Sequence, residues 1–331
     1  MKAIVQDRYG PPEVLYLADV DKPVAADHEV LIRVHAAAVN AYDWHMMRGD
    51  PYLARLMSPA MSAFGGPKTK IRGRDFAGTV EAVGKNVTRF QPGDEVFGDA
   101  GDDGGAFAEY LCIAANLVEP KPANLTFEQA ASVPLAGNTA LMGVRDCGQL
   151  RPGQQILING CSGGVGTFAV QIAAALGADV TGVCKTANVD LIQSLGAKHV
   201  IDYTHEDFTR TERRYDVVFD LVGNRSLTEL RRTLTPGGTL VLSGGGTFKG
   251  GSLVGPIALM VRGTVTSRLV RQRLLVLQVI QSAENLATLR ELIESNKIAP
   301  VIDQTFPLSG VPEAVRRLEV EHPRAKITIT I

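Results

Sequence analysis

Hydrophobic and polar positions keep two different rhythms along the chain. Up to about residue 120, short alternating runs dominate: EVLIRV at 29–34, AGTVEAV at 77–83 and FAEYLCI at 107–113. Clusters of Gly, Pro, Asn and Asp separate them, as in QPGD at 91–94 and GDDGG at 101–105, which is turn chemistry. Strands this closely spaced, with no helical spacer, predict a compact β-rich domain of barrel or sandwich type.

From about residue 125 strand-like and helical runs alternate, starting with a helix at 126–131. QILIN at 155–159 reads as a buried strand, a glycine-rich turn follows at 160–166, and 167–176 is helical. A second strand at 179–183 and helix at 187–195 follow, then strands at 199–201, 216–220, 239–243 and 275–280. Repeated β-α-β units predict a parallel sheet covered on both faces, which suits uniformly apolar runs such as VVFD and TLVLS. ENLATLRELIESNKI, from 284, sets Leu286, Leu289, Leu292 and Ile293 on one helical stripe, with Pro300 as the expected stop. ITITI at 327–331 alternates as an antiparallel strand should and is expected to rejoin the first domain. The expected division is therefore 1–122 for the β-rich domain, 123–281 for the parallel-sheet domain, and 282–331 for a return to the first.

Composition narrows the function classes. The 331 residues are 45% hydrophobic and 21% charged, enough for two domains with real cores. The net charge of −1 gives no global field for nucleic acid or an anionic membrane, so neither is expected as a partner. Strand-like alternation starts within MKAIVQ, which leaves no leader peptide to read and makes a cytoplasmic product the expectation. Cys112, Cys147, Cys161 and Cys184 are scattered without C-x-x-C spacing, so neither a disulfide framework nor a thiolate metal cage is expected.

The sharpest chemical signal is NGCSGGVG at 159–166, between the strand QILIN and the helix after it. Gly160, Gly163 and Gly166 form a G-x-x-G-x-x-G variant of the dinucleotide fingerprint, and Ser162, Gly164 and Val165 lie in the same loop. Glycines there allow a tight turn and a close approach to pyrophosphate, while the helix start offers N–H groups to the anion. About twenty residues on, an NAD site places an acidic residue for the ribose 2′-hydroxyl. This chain has Lys185 and Thr186, which favour a 2′-phosphate and hence NADPH. Tyr203, after the strand HVID, is a further candidate beside that phosphate.

The segments VNAYDWH (39–45), GRDFAGTVEAVG (73–84), PGDEVFG (92–98), PLAGNTA (134–140), the glycine loop, DLVGN (220–224), TPGGTLV (235–241) and PVIDQTFPLSGVPEA (300–314) span the chain. In this order they resemble the zinc-free quinone oxidoreductase branch of the medium-chain dehydrogenase/reductase superfamily, and within it the bacterial relatives of the reticulon-4-interacting mitochondrial oxidoreductase. The resemblance implies an α/β architecture: a GroES-like β-rich substrate domain, a Rossmann domain with a doubly wound parallel sheet, and an active site between them. It also implies cofactor contacts at Asn138, Thr139, Gly223, Asn224, Ser243, Gly244 and Gly245, and at Lys326, which matches a C-terminal G-K with Ala325 in place of the glycine.

Where zinc alcohol dehydrogenases of that superfamily carry metal ligands, this chain has Asn40, Arg74 and Asn138. A guanidinium cannot ligate zinc, so no Lewis acid is expected to polarise the substrate. The chemistry left is hydride transfer to an electron-poor carbon, which needs positioning, stabilisation of the developing oxyanion, and a proton. The resemblance sets Asn40 and Asp43 in the active-site strip. Tyr52 lies where related enoyl thioester reductases carry a proton-donating tyrosine, with Tyr42 as the rival phenol. The stretch 50–70, rich in Met and Ala, suggests either a lid over a hydrophobic substrate or ordinary packing. The expected activity is NADPH-dependent reduction of quinones or of the C=C bond in α,β-unsaturated carbonyl compounds. The alternatives are an enoyl-thioester reductase, for which Arg262, Arg268, Arg271 and Arg273 offer a basic entrance, and a non-catalytic NADPH-binding protein. The apolar run at 274–280 would be a hazardous exposed edge, and a homodimer is expected to cover it.

Overall fold

Alternation in the first hundred residues resolves into antiparallel strands. The computed structural model describes residues 1–57, 61, 66–244, 251–255, 257–321 and 323–331. Strands β1 (Lys2–Gln6) and β2 (Leu15–Asp19) form a hairpin-like pair. β3 (Glu29–Val39), β4 (Asp75–Val83), β5 (Glu95–Asp99), β6 (Tyr110–Ala114) and β7 (Val118–Pro120) build the main antiparallel sheet. β3 is long because one edge is shared: its first half, Glu29–Arg33, pairs with β6, and its second half with a strand from the far end of the chain. Phe76, Phe107 and Ile32 pack inside this domain with no exposure.

The second rhythm gives β8 (Gln155–Asn159), β9 (Asp179–Cys184), β10 (His199–Asp202), β11 (Tyr215–Asp220), β12 (Leu234–Leu242) and β13 (Arg273–Val276). All are parallel, in the spatial order β10-β9-β8-β11-β12-β13. This 3-2-1-4-5-6 order is that of a Rossmann sheet, whose switch point lies between the first and fourth strands. The strands at the switch are sealed on both faces, with Ile156, Leu157, Ile158, Val218 and Phe219 unexposed. The expected strand at 275–280 is displaced: the β13 register on β12 runs to Val276, the Leu277 N–H makes the last bond, to the Leu242 carbonyl (2.8 Å), and the strand does not extend over 278–280.

β14 (Ile302–Pro307) and β15 (Lys326–Thr330) return to the antiparallel sheet. β15 lies antiparallel to β3, Ile327 opposite Val39, and is buried on both faces. The helix Ala283–Glu294 buries Leu286, Leu289 and Ile293 as its stripe predicts. It ends at Ser295, before Asn296 in the left-handed region (φ 56°), and so never reaches Pro300. The helices Ala41–Arg48, Pro134–Leu141 and Val311–Val320 were not legible in the pattern.

Candidate active site

At the switch point, β8 runs into the glycine loop. Gly160 turns at φ +86°, which favours glycine, and a Cβ on Gly166 would lie 2.3 Å from the Gly160 carbonyl oxygen. The helix Gly164–Ala175 therefore starts tight against the strand, with no side chain capping it at Gly163. Its first-turn N–H groups have no intrahelical acceptors, as at any helix start, and the loop is bare enough for a pyrophosphate to approach them. The chain fits a dinucleotide here on its own geometry.

Buried Asp220, at the end of β11, organises the neighbouring loop. Its Oδ1 accepts from Asn159 Nδ2 (2.8 Å) and from the N–H groups of Val222 and Gly223 (3.2 Å each). Burial pushes its carboxyl up, opposed by those donors. Asn159 Nδ2 also reaches Asn224 Oδ1 (3.1 Å), and the Ser243 N–H donates to the Asp220 carbonyl. Gly223 and Gly244 both have positive φ. Gly160, Gly223, Asn224, Ser243 and Gly244 thus gather at the carboxyl ends of β8, β11 and β12; Gly245 lies outside the described residues.

Lys185 follows β9, half-buried. Its neighbour Thr186 donates to Asp202 Oδ2 at 2.5 Å. Asp202 also takes bonds from Thr204, so hydrogen bonding, chiefly from Thr186, holds its carboxyl well below the usual range. Tyr203 is exposed, and its N–H donates to the Cys184 carbonyl, which pins β10 beside β9. Lys185 and Tyr203 therefore stand on one side of the loop.

On the antiparallel side, β3 ends at Val39 and Asn40 caps the helix Ala41–Arg48. The Asn40 N–H donates to Asp43 Oδ2 (2.7 Å), closing a capping box. Because β15 sets Ile327 opposite Val39, Lys326 emerges beside Asn40. Its ammonium donates to Asn40 Oδ1 (2.6 Å), the Val39 carbonyl and Asp75 Oδ2 (3.3 Å each). Asn40 Nδ2 donates to Asp75 Oδ2 (3.0 Å) and the Ala38 carbonyl (3.3 Å), while the Leu135 N–H donates to Asp75 Oδ1 (2.9 Å). All three side chains are buried. Burial pushes the Asp75 carboxyl up, opposed by the Lys326 ammonium, and it pushes Asp43 up to about 7.

This network reaches the glycine loop. Ala325, at φ 59°, donates its N–H to the Ser162 carbonyl (2.7 Å), and the Lys326 stem lies 2.9 Å from where a Gly164 Cβ would be. One lysine thus spans the fingerprint and the end of β3.

The remaining expected residues divide. Asn138 donates to the Ile280 carbonyl and accepts from Asn285, both at 2.7 Å; Thr139 bonds back to the Leu135 carbonyl. Arg74 grips Asp99 with two bonds (2.8 and 2.7 Å) and stacks over the Tyr42 ring, 4.5 Å from its centroid. Tyr42 OH donates to the exposed Asp102 at 2.7 Å. Burial and that bond push the phenol's pKa upward, so it stays protonated. Tyr52 stands apart, 47% exposed, lining a cavity of about 220 Å³ with Tyr9, Arg48, Asp50, Arg55 and Gly251 rather than joining Asn40 and Asp43. The stretch 50–70 contains the short helix Ala54–Met57 and otherwise lies partly outside the described residues. Asp75, Asp220 and the Arg74–Asp99 grip escaped the sequence reading. The D of GRD and the D of DLVGN were visible, but not their partners. Among the described residues no three His, Cys, Asp or Glu side chains are grouped to hold a metal.

Comparison with known proteins agrees with this geometry. Residues 26–123 match the alcohol dehydrogenase GroES-like domain and 195–329 the zinc-binding dehydrogenase family. The chain is 35% identical to the mouse mitochondrial NAD(P)H oxidoreductase RTN4IP1, covering 100% of this chain and 89% of that protein. It is 31% identical to the Arabidopsis thaliana chloroplastic NADPH-dependent alkenal/one oxidoreductase, over 99% of this chain and 79% of that one. The quinone oxidoreductase of Coxiella burnetii superposes with a TM-score of 0.86 at 31% identity, covering 100% and 99% of the two chains.

Proposed function

Because this chain belongs to the quinone oxidoreductase branch of the medium-chain dehydrogenase/reductase superfamily, we propose that it reduces quinones or the C=C bond of α,β-unsaturated carbonyl compounds with NADPH and without zinc. One observation carries the reading. The three positions where zinc relatives hold ligands are Asn40, Arg74 and Asn138, and each is already bound to protein partners. Their donor set offers a metal no thiolate or imidazole, so the acceptor must bring its own electron deficiency.

Bound NADPH supplies the hydride. The first-turn N–H groups of Gly164–Ala175 would hold its pyrophosphate, and Lys185 would draw the 2′-phosphate. Asn40 orients rather than reacts, because both ends of its amide are committed to Lys326, Asp75 and Ala38. Of the two phenols, Tyr42 is our candidate proton donor on position: it follows Asn40 on the helix that carries Asp43, whereas Tyr52 lines a separate cavity. The Arg74 guanidinium over the Tyr42 ring partly offsets the burial and the Asp102 bond that raise its pKa. A homodimer through the edge strand β13 belongs to the same reading, since that edge has no partner strand among the described residues; a monomeric mass by light scattering would contradict it.

Reduction of an enone with 4-deuterated NADPH in ordinary water tests the reaction class. Deuterium is expected at the β-carbon only. Tyr42→Phe should lower kcat by about a hundredfold and Tyr52→Phe by less than tenfold. Deuterium on the carbonyl carbon overturns the reaction class, whereas an active Tyr42→Phe enzyme overturns only the proton donor.

A further inference from the structure

The net charge of −1 averages over a large local asymmetry. Between Glu229 and Glu284 the chain carries no acidic residue at all, against seven cations: Arg231, Arg232, Lys249, Arg262, Arg268, Arg271 and Arg273. The helix Ile257–Thr266 lies in this stretch. Its inner side packs on the parallel sheet through Leu259 and through Gly263, where a Cβ would meet Leu242 at 3.0 Å. Its outer side is unusual for a solvated face. Val261 (56% exposed), Val265 (59%) and, beyond its end, Leu269 (81%) fall at helical spacing on that side. Exposed Arg262, Arg268 and Arg271 flank them and form no ion pair among the described residues.

Two more exposed leucines precede the helix or are tied to the segment before it. The N–H groups of Tyr52 and Leu53 donate to the carbonyls of Ser252 and Leu253, at 2.9 and 3.1 Å. This ties the segment that carries exposed Leu56 to the stretch that carries exposed Leu253.

We propose that this face docks peripherally on an anionic phospholipid surface. Charge complementarity chooses the occupant. Apolar side chains interleaved with unpaired arginines match a layer that offers phosphates above acyl chains. A soluble polyanion would leave Val261, Val265 and Leu269 without a partner. A second copy seated on this face would set arginine against arginine. Pairing through β13 is compatible with docking, because a two-fold axis normal to a continuous sheet leaves both helices on one side. Docking brings the Tyr52–Leu56 segment to the lipid, where lipophilic quinones partition; that use, but not the docking, rests on the functional reading above.

Flotation of the full chain tests the proposal, with phosphatidylcholine vesicles prepared with and without phosphatidylglycerol. The protein should float with the anionic vesicles, stay behind with the neutral ones, and be released by salt. Arg262→Gln/Arg268→Gln/Arg271→Gln should weaken the partition on the order of a hundredfold, and Val265→Ser/Leu269→Ser should weaken it independently. Both variants should keep their mass by light scattering and their turnover of a short-chain, water-soluble quinone. Three results overturn docking: no flotation at low salt, equal flotation with neutral vesicles, or flotation that survives the arginine substitutions. A variant that changes mass shows the face to be an interface between copies, and tight binding of coenzyme A thioesters without flotation shows it to be a carrier entrance. An enzyme that floats but oxidises no NADPH leaves docking intact and overturns the functional reading.

Discussion

Replacing Lys326 with methionine isolates one charge at the seam between the domains. Methionine keeps most of the stem that lies against Gly164 and removes only the ammonium. The ammonium sits 3.3 Å from Asp75 Oδ2, with both side chains buried. At an effective dielectric constant of about 20, that separation corresponds to a Coulomb attraction of about 5 kcal/mol. Removing one member of a buried pair leaves the other uncompensated and costs about 3–5 kcal/mol. The substitution should therefore lower unfolding stability by that amount near pH 8. The cost has a definite pH dependence. Without the ammonium, burial raises the Asp75 carboxyl further, so the folded variant keeps a proton that the unfolded chain releases. Stability of the variant should then fall as pH rises through and above the ordinary carboxylate range, and the penalty should be smaller at pH 5 than at pH 8. Urea midpoints at the two pH values, for wild type, Lys326→Met, Asp75→Asn and the double variant, complete a thermodynamic cycle. The double variant should recover most of the loss, because two neutral buried groups need no counter-charge. A cost below about 1 kcal/mol, or a double variant as unstable as the sum of the singles, would refute the pairing.

Three other measurements bear on the site. Lys185→Asp should weaken NADPH binding about ten- to a hundredfold, read by fluorescence titration, because a carboxylate replaces an ammonium beside the phosphate; a wild type that prefers NADH would remove Lys185 from that role. Asp43→Asn should gain stability relative to wild type by roughly 2–3 kcal/mol between pH 5 and pH 8, since burial lifts the native carboxyl to about 7 and its folded-state proton is lost over that window. Parallel pH profiles for the two proteins would contradict the buried proton. Turnover should survive strong chelator with no stoichiometric zinc by elemental analysis, and zinc-restored activity would sink the assignment of Asn40, Arg74 and Asn138.

What the sequence disclosed was local. QILIN followed by glycines declares a strand, a turn and a helix within a dozen residues, and the Rossmann half follows from such units. The helix Ala41–Arg48 stayed hidden because the one side it buries, Asp43, Trp44, Met46 and Met47, carries a carboxylate among its apolar residues and spans barely two turns. The strand expected at 275–280 misled because apolar character continues past the ladder, whose last bond is from the Leu277 N–H to the Leu242 carbonyl. The polar network was illegible for a different reason. Lys326 and Asn40 stand 286 positions apart, and only the register of β15 on β3 brings them together. Asn40 therefore read as a free amide, when its hydrogen bonds were already spent. Total charge concealed the acid-free stretch in the same way, because a sum has no position.

Strand β15 also sets an order of events during synthesis. The β3 edge that it covers, Ala36–Val39, is made some 290 residues before Lys326 leaves the ribosome. The parallel sheet, by contrast, closes among residues 155–276. The nucleotide-binding half can mature while the first-made half still waits with one edge open, in need of shelter from edge-to-edge association. Shortening the chain before Ala325 would remove that cover, the buried cation and the staple on Ser162 in a single cut, so damage at the last strand should register at the first.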